Sequence, residues 1–188
     1  PLGEMRLNNA DALKFDFSSL RNVERRLRLI GNLPYNISTP LLFHLIEQSE
    51  VIEDMHFMLQ KEVVDRMAAG PGSKTYGRLS VMLQVSCEVT PLFDIGPESF
   101  DPPPKVNSSV VRLYPRGEPL VAAADIPVFG NLVSAAFQQR RKTLRNNLKG
   151  LLDTEQITAV GIDPGIRAEM LSIADLIRLH QATRHAAG

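Results

Sequence analysis

The first 113 residues alternate short apolar runs with segments whose apolar residues repeat at helical spacing. Glycine and proline separate them, as at Gly70-Pro71-Gly72. The pattern predicts strands at 27–30, 55–59, 89–95 and 106–113, and helices at 40–46, 61–69 and 79–86, with a strand as the alternative for the last range. Strands separated by helices indicate an α/β fold whose sheet is mostly parallel and covered on both faces.

From residue 114 onward the pattern is helical throughout. Amphipathic spacing predicts helices at 126–139, 143–148 and 154–160, and Ser172 with Asp175 can begin a last one. We therefore expect two domains, an α/β part at 1–113 and a small all-helical part at 114–188.

A formal net charge of zero conceals two unlike parts of the chain. Residues 1–111 contain 11 basic and 14 acidic side chains, whereas residues 112–149 contain 7 basic and 2 acidic ones. A local excess of cations is compatible with a nucleic-acid partner. The single cysteine, Cys87, excludes an intramolecular disulfide. A lone cysteine suits a reducing compartment, and no apolar run approaches the length of a membrane span, so we expect a cytoplasmic protein with no membrane partner.

The segment Gly31-Asn32-Leu33-Pro34-Tyr35 lies between a predicted strand and the helix after it. Open α/β sheets bind ligands at that position. The Asn32 carboxamide oxygen and the Leu33 carbonyl, in a turn stiffened by Pro34, can both accept hydrogen bonds from one exocyclic amine, and a base can stack on Tyr35. Such bonds would localise the lone pair of an adenine amine and favour its attack on a methyl group held in line. A turn without function is the alternative for so short a motif.

A second segment places Phe100 just before Pro102-Pro103-Pro104 and Lys105. Consecutive prolines hold the chain extended. Phe100 is therefore either a core or hinge residue or, beside a base pocket, a second stacking face.

Five cations fall within ten residues with no acidic residue among them: Arg140, Arg141, Lys142, Arg145 and Lys149. They either form a solvated helix end that complements the helix dipole or contact phosphates. The four histidines are scattered in the sequence, so no metal site is expected.

These segments, with His56–Val63 and Ala136–Arg145, resemble the ribosomal RNA adenine dimethyltransferases of the bacterial KsgA type, from about Asn8 to the C-terminus. The resemblance implies a Rossmann-like methyltransferase sheet, incomplete at the N-terminus, followed by a helical RNA-binding domain. It implies S-adenosylmethionine-dependent dimethylation of N6 of two adjacent adenosines in the 3′-terminal hairpin of small-subunit rRNA. The implied partner is the immature 30S subunit, and the protein is expected to be a monomer that uses no metal.

The resemblance also implies roles for individual residues. Asn32, Leu33, Pro34 and Tyr35 would form the catalytic loop. Phe100, Tyr35 and Lys105 would bind the substrate. Asp11, Ala12 and Asn32 would contact the cofactor, and the five cations from Arg140 to Lys149 would contact RNA.

One departure from the family concerns the cofactor. The family's Gly-rich loop for the methionine end of the cofactor and its acidic residue for the ribose have no counterpart among the 188 residues. We therefore expect a truncated chain that binds S-adenosylmethionine weakly and is inactive alone. Two alternatives remain, a non-catalytic ribosome-assembly factor that binds RNA and a large-subunit rRNA adenine methyltransferase that confers antibiotic resistance.

Overall fold

The computed structural model describes residues 5–21, 25–34 and 36–186. The strands are β1 (Leu27–Asn32), β2 (Ile52–Gln60), β3 (Cys87–Ile95) and β4 (Ser108–Pro115). The helices are α1 (Ser38–Glu47), α2 (Lys61–Met67), α3 (Arg78–Ser86), α4 (Ile126–Ala136), α5 (Leu144–Asn147), α6 (Thr154–Ala159) and α7 (Ile173–Ala186). The strands form one sheet in the order β1-β2-β4-β3.

The strand directions show that the expectation of a mostly parallel sheet was wrong. β1 and β2 are parallel, but β4 runs antiparallel to both of its neighbours, β2 and β3. A parallel connection usually crosses over through a helix. Residues 96–107, which join β3 to β4, contain only the short 3₁₀ turn Pro97–Ser99, so the chain reverses and returns antiparallel.

β1 extends two residues beyond the predicted end at Ile30. Gly31 pairs with Phe57 and Asn32 pairs with Met58, so the parallel ladder continues through the glycine. Burial alternates along the strand, which leaves Asn32 exposed at its end.

The helical periodicity is confirmed, including the ambiguous range 79–86, which lies in α3. Ser172 begins α7 as expected, because its Oγ donates to Asp175 Oδ2 at 2.7 Å and accepts from the Asp175 N–H at 3.1 Å. The helix expected over 126–139 ends at Ala136. Asn147 Nδ2 donates to the carbonyls of Ala136 and Gln139, at 2.7 and 3.1 Å, and these bonds fix the turn after α4.

The helices α1, α2 and α3 all pack on one face of the sheet. They share a single core with alternate sheet residues such as Met55, Phe57 and Leu59. The opposite face, within the described residues, carries Ile30 at 89% exposure. The expected cover on both faces is therefore wrong for the described part of the chain, because all three helices belong to the same core.

A second core joins α4–α7 to the far side of α3. Its centre includes Phe129, Leu144 and Leu179, and α3 contributes Val81 and Met82. The helices α3 and α4 approach closely, because a Cβ added at Gly130 would lie 3.3 Å from the Met82 methyl carbon. The helical part is thus anchored to the sheet through α3.

Candidate active site and basic surface

Four strand ends meet at one edge of the sheet. β1 and β2 end there because they are parallel, β4 begins there, and β3 ends there because it is antiparallel to β4. Gln60 of β2 pairs with Ser108 of β4, which pairs in turn with Ile95 of β3. Neighbouring strands lie about 4.8 Å apart, so the four ends span on the order of 15 Å. The segment after β1 and the connection after β3 therefore leave the sheet at the same edge.

The segment after β1 is fixed to the sheet by Leu33. The Leu33 N–H donates to the Met58 carbonyl at 3.1 Å, and its side chain is buried in the sheet core. The Pro34 carbonyl accepts from the Ile37 N–H at 3.2 Å. The Asn32 side chain is exposed and has no hydrogen bond to any described residue. The predicted stacking residue Tyr35 lies outside the described residues.

The connection from β3 to β4 carries the two residues predicted to bind substrate. Phe100 is half-buried, and its N–H donates to the Pro97 carbonyl at 3.2 Å. Lys105 is exposed. We call residues 96–107 the Phe100 arm.

The segment that contains Asp11 lies against the sheet core. Asp11 is exposed, and its Oδ1 accepts from the Leu13 N–H at 3.0 Å. Ala12 is half-buried and packs on the core together with Leu13 and Phe17. The segment is held by Gln48 of the α1 C-terminus, whose Oε1 accepts from the Phe17 N–H at 2.7 Å. No sequence motif indicated this role for Gln48.

These residues fit the part of S-adenosylmethionine that the resemblance assigns to them. Asp11 has a carboxylate oxygen with acceptor capacity toward an adenine amine, and Asn32 has an exposed carboxamide. Ala12 adds a partly buried apolar contact at the same segment.

An ion pair occupies the open face of the sheet below Asn32. Arg28 donates from Nε and Nη2 to the Asp54 carboxylate, at 3.0 and 2.6 Å, and His56 Nδ1 lies 3.7 Å from that carboxylate. The Arg28 hydrogen bond lowers the pKa of Asp54. This carboxylate is therefore ionised and paired.

Four of the five predicted basic residues line one or the other of two cavities. Arg140 and Arg141 line one of about 260 Å³, and Arg145 and Lys149 line another of about 410 Å³. All five predicted cations are exposed, and Lys142 lines neither cavity. Arg140, Arg141 and Lys142 lie in the loop after α4, so the explanation based on the helix dipole does not apply to them.

The smaller cavity gains two cations that the sequence did not indicate. Lys74 and Arg167 also line it, and each comes from a distant segment. Glu169 is its carboxylate, with Oε2 3.0 Å from Arg140 Nε and Oε1 4.0 Å from Arg167 Nη1. We call Lys74, Arg140, Arg141 and Arg167 the basic cavity. Its charges suit an anion, with Glu169 as an internal counter-charge.

Two negative findings concern the described residues alone. None of their helices has the length and apolar character needed to cross a membrane. They also contain no group of three or more His, Cys, Asp or Glu side chains that could hold a metal ion.

The family model described as ribosomal RNA adenine dimethylase matches residues 3–184. The chain is 56% identical to the ribosomal RNA small subunit methyltransferase A of Marinomonas sp., over 94% of this chain and 66% of that protein. The protein of the same name from Pseudomonas aeruginosa is 57% identical over 92% of this chain and 65% of its own length. The chain therefore spans slightly less than two thirds of these curated relatives.

Solved structures show the same fold. The crystal structure of a dimethyladenosine transferase from Plasmodium falciparum has a TM-score of 0.77 at 24% identity, over 96% of this chain and 72% of that one. The structure of the 23S rRNA methyltransferase ErmE has a TM-score of 0.69 at 22% identity, over 94% of this chain and 71% of that one. The fold is thus the Rossmann-like α/β fold of these two structures, as the resemblance implied.

Proposed function

The chain belongs to the ribosomal RNA adenine dimethylase family, and we propose that its protein catalyses the dimethylation of N6 of adjacent adenosines in small-subunit rRNA. The donor in this proposal is S-adenosylmethionine. The proposed substrate is the 3′-terminal hairpin of the immature small subunit. The protein acts on it as a monomer in the cytoplasm. It also includes the division of labour near residue 113, with methyl transfer in the first part and RNA binding in the second.

The geometry that supports this chemistry is the arrangement around Asn32. The adenine amine donates one hydrogen bond to the Asn32 carboxamide oxygen and one to the Leu33 carbonyl. These bonds hold the nitrogen lone pair toward the methyl carbon, and the carbonyl dipoles stabilise the positive charge that develops on nitrogen. Burial of the Leu33 side chain keeps the loop in place, so orientation supplies much of the rate enhancement. The proton lost from N6 passes to water.

The substrate base must leave its RNA stack to reach this pocket. In the proposal, Tyr35 and Phe100 form the two faces between which the adenine stacks, and exposed Lys105 contacts the adjoining backbone. The position of the Phe100 arm at the same sheet edge as Asn32 supports this pairing.

Asp11, Ala12 and Asn32 would hold the adenosine side of the cofactor. When bound, S-adenosylmethionine would supply an electrophilic methyl group, whose bond to the sulfonium sulfur breaks on transfer to leave a neutral thioether. The Asp11 carboxylate would accept from the cofactor's adenine amine, and Gln48 keeps that segment on the sheet core.

The basic cavity and the pair Arg145 and Lys149 would contact RNA phosphates, together with Lys142. Phosphate contacts supply affinity that depends on salt and carry no sequence information. Two cavities from different segments suit two points on a folded RNA better than one continuous strand.

The observation that carries the proposal is that the segment after β1 and the Phe100 arm leave the sheet at the same edge in a chain of this family. The test is transfer of labelled methyl groups to unmethylated small subunits. It uses the 188-residue chain and a form extended to the full length of its curated relatives. We expect Asn32→Ala to lower the rate of the extended form at least 100-fold, because one acceptor and its dipole are lost.

Asn131→Ala is the matched control, because it makes the same change at an exposed position on α4. It should keep the parent rate. An Asn32→Ala rate within threefold of the parent would refute the mechanism. RNA binding without methyl transfer by either form would favour the non-catalytic assembly factor, and transfer to large-subunit rRNA alone would favour the antibiotic-resistance enzyme.

A further inference from the structure

Lys61 connects both ends of the Phe100 arm to the edge of the sheet that carries Asn32. It is the first residue of α2 and directly follows β2. Its backbone N–H donates to the Asn107 carbonyl at 2.9 Å. Asn107 is the last residue before β4, so this bond fixes the far end of the arm.

The Lys61 ammonium group contacts the end of β3, directly before the arm. Nζ lies 2.9 Å from Asp94 Oδ2, and Asp94 is the penultimate residue of β3. The same ammonium lies 3.3 Å from Asp65 Oδ1, one turn along α2. The hydrogen bond to Asp94 raises the pKa of Lys61, and the bond from Lys61 lowers the pKa of Asp94, so both groups remain charged near neutral pH.

These contacts contribute more to geometry than to stability. The three side chains are 39–55% exposed, and exposed ion pairs stabilise a fold by only about 0.2–1 kcal/mol. The Ser109 hydroxyl adds a tie at the base of the arm, because it donates to the Phe93 carbonyl at 3.2 Å. Inside the arm, the described backbone bonds are local, as from Phe100 to Pro97. The ladder of β3 and β4 pairs the two ends of the arm with each other, and Lys61 links these paired ends to the start of α2.

We propose that Lys61 is a positioning residue that, through Asp94, holds the Phe100 arm at the distance from Asn32 that stacking of the target adenine requires. This inference rests on the proposed function. A displacement of about 1 Å can cost on the order of 100-fold in rate, so a weak ion pair here has a large effect on chemistry. Lys61 touches neither base nor methyl donor in this role.

The chain offers a matched pair of variants for the test. Asp94→Asn removes the charge with which Lys61 pairs at the end of β3, just before the arm, whereas Asp65→Asn removes the charge with which it pairs inside α2. Each variant removes one carboxylate charge beside the same Lys61 ammonium group. The probe is an rRNA hairpin with 2-aminopurine at the target adenosine, whose fluorescence reports stacking of the flipped base.

We expect Asp94→Asn and Lys61→Met to reduce the fluorescence change on binding at least threefold, with hairpin affinity within twofold of the parent. Asp65→Asn should match the parent, and Lys61→Arg should restore most of the response because it keeps the charge. Methyl transfer by the extended form, measured on the same hairpin with adenosine at the target position, should show a lower kcat with little change in KM.

Two results would overturn the proposal. Equal effects of Asp65→Asn and Asp94→Asn would mean that Lys61 acts only within α2. If the affinity for the hairpin depends less on salt in Lys61→Met but not in Asp94→Asn, Lys61 binds a phosphate directly.

A separate measurement distinguishes this proposal from the proposed function. If the extended parent protein gives no fluorescence response with the 2-aminopurine hairpin and no methyl transfer to the hairpin with adenosine at the target, the proposed function fails. Amide hydrogen exchange of residues 96–107 then decides the role of Lys61. Asp94→Asn should speed the exchange of residues 96–107 at least threefold, whereas Asp65→Asn should leave it unchanged. Equal exchange rates in the two variants would refute the positioning role.

Discussion

Glu169 provides the sharpest test of the basic cavity, because its removal should tighten RNA binding. Its carboxylate lies 3.0 Å from Arg140 and 4.0 Å from Arg167, and its side chain is 23% exposed. In Glu169→Gln the amide oxygen can still accept from Arg140, so the cavity keeps its shape. Only the negative charge is lost.

The expected gain follows from the charges alone. With an RNA phosphate about 6 Å from the carboxylate, removal of their repulsion is worth roughly 0.7 kcal/mol in water. That energy corresponds to about a threefold lower Kd. One more cation becomes free to replace a counterion, so the slope of log K against log salt should steepen by about 0.7–0.9.

The assay is fluorescence anisotropy of a labelled small-subunit rRNA hairpin, which gives the Kd. It is repeated at salt concentrations from about 50 to about 300 mM, a range that brackets physiological ionic strength. Glu50→Gln is the control, since it makes the same charge change at an exposed position outside the cavity. Equal affinities and slopes for Glu169→Gln and Glu50→Gln would refute the assignment of the cavity to phosphate binding. Weaker binding by Glu169→Gln would also refute it.

Two further predictions concern the helical part. His180 is 4% exposed, and neither of its ring nitrogens has a hydrogen-bond partner among the described residues. Burial lowers the pKa of His180; the charge of Asp125 opposes this shift, and that of Arg184 adds to it. The imidazole takes up a proton near pH 6.5 in the unfolded chain and at lower pH in the folded chain. The free energy of unfolding therefore falls as the pH drops below about 6.5, by at most about 1.4 kcal/mol per pH unit. Urea unfolding from about pH 7.5 to about pH 5.5 should show a smaller fall for His180→Leu than for the parent, and equal falls would contradict this. Phe129→Ala, at a fully buried position, should lower the free energy of unfolding by about 3–5 kcal/mol, whereas the neighbouring Val128→Ala, at 52% exposure, should change it by about 0.5 kcal/mol or less; similar losses in both would show that the core is placed wrongly.

Local periodicity predicted the elements well, because each one's burial pattern is set by its own sequence. Strand direction was predicted incorrectly because it depends on the connection between strands, and the arm of 96–107 carries no apolar repeat that distinguishes a crossover from a reversal. The end of α4 depends on Asn147, which lies 11 residues beyond Ala136 and binds its carbonyl. A window of sequence around the helix does not contain that information.

The site divides in the same way. Asn32–Tyr35 and Phe100 stand out because proline, asparagine and aromatic residues are informative at short range. Lys74 and Arg167 do not, since the fold alone brings them beside Arg140. The roles assigned to single residues from the resemblance, including that of Tyr35, stay predictions.

The meeting of four strand ends at one edge separates the parts of this protein that tolerate sequence change from those that do not. Register and core packing fix where the strands stop, but the arm between β3 and β4 only has to span from Ile95 to Ser108, which are already paired. Insertions or exchanged segments at the arm should therefore leave the sheet intact. Under the proposed function, they would change which nucleotide is admitted, so the arm is the place to alter substrate scope.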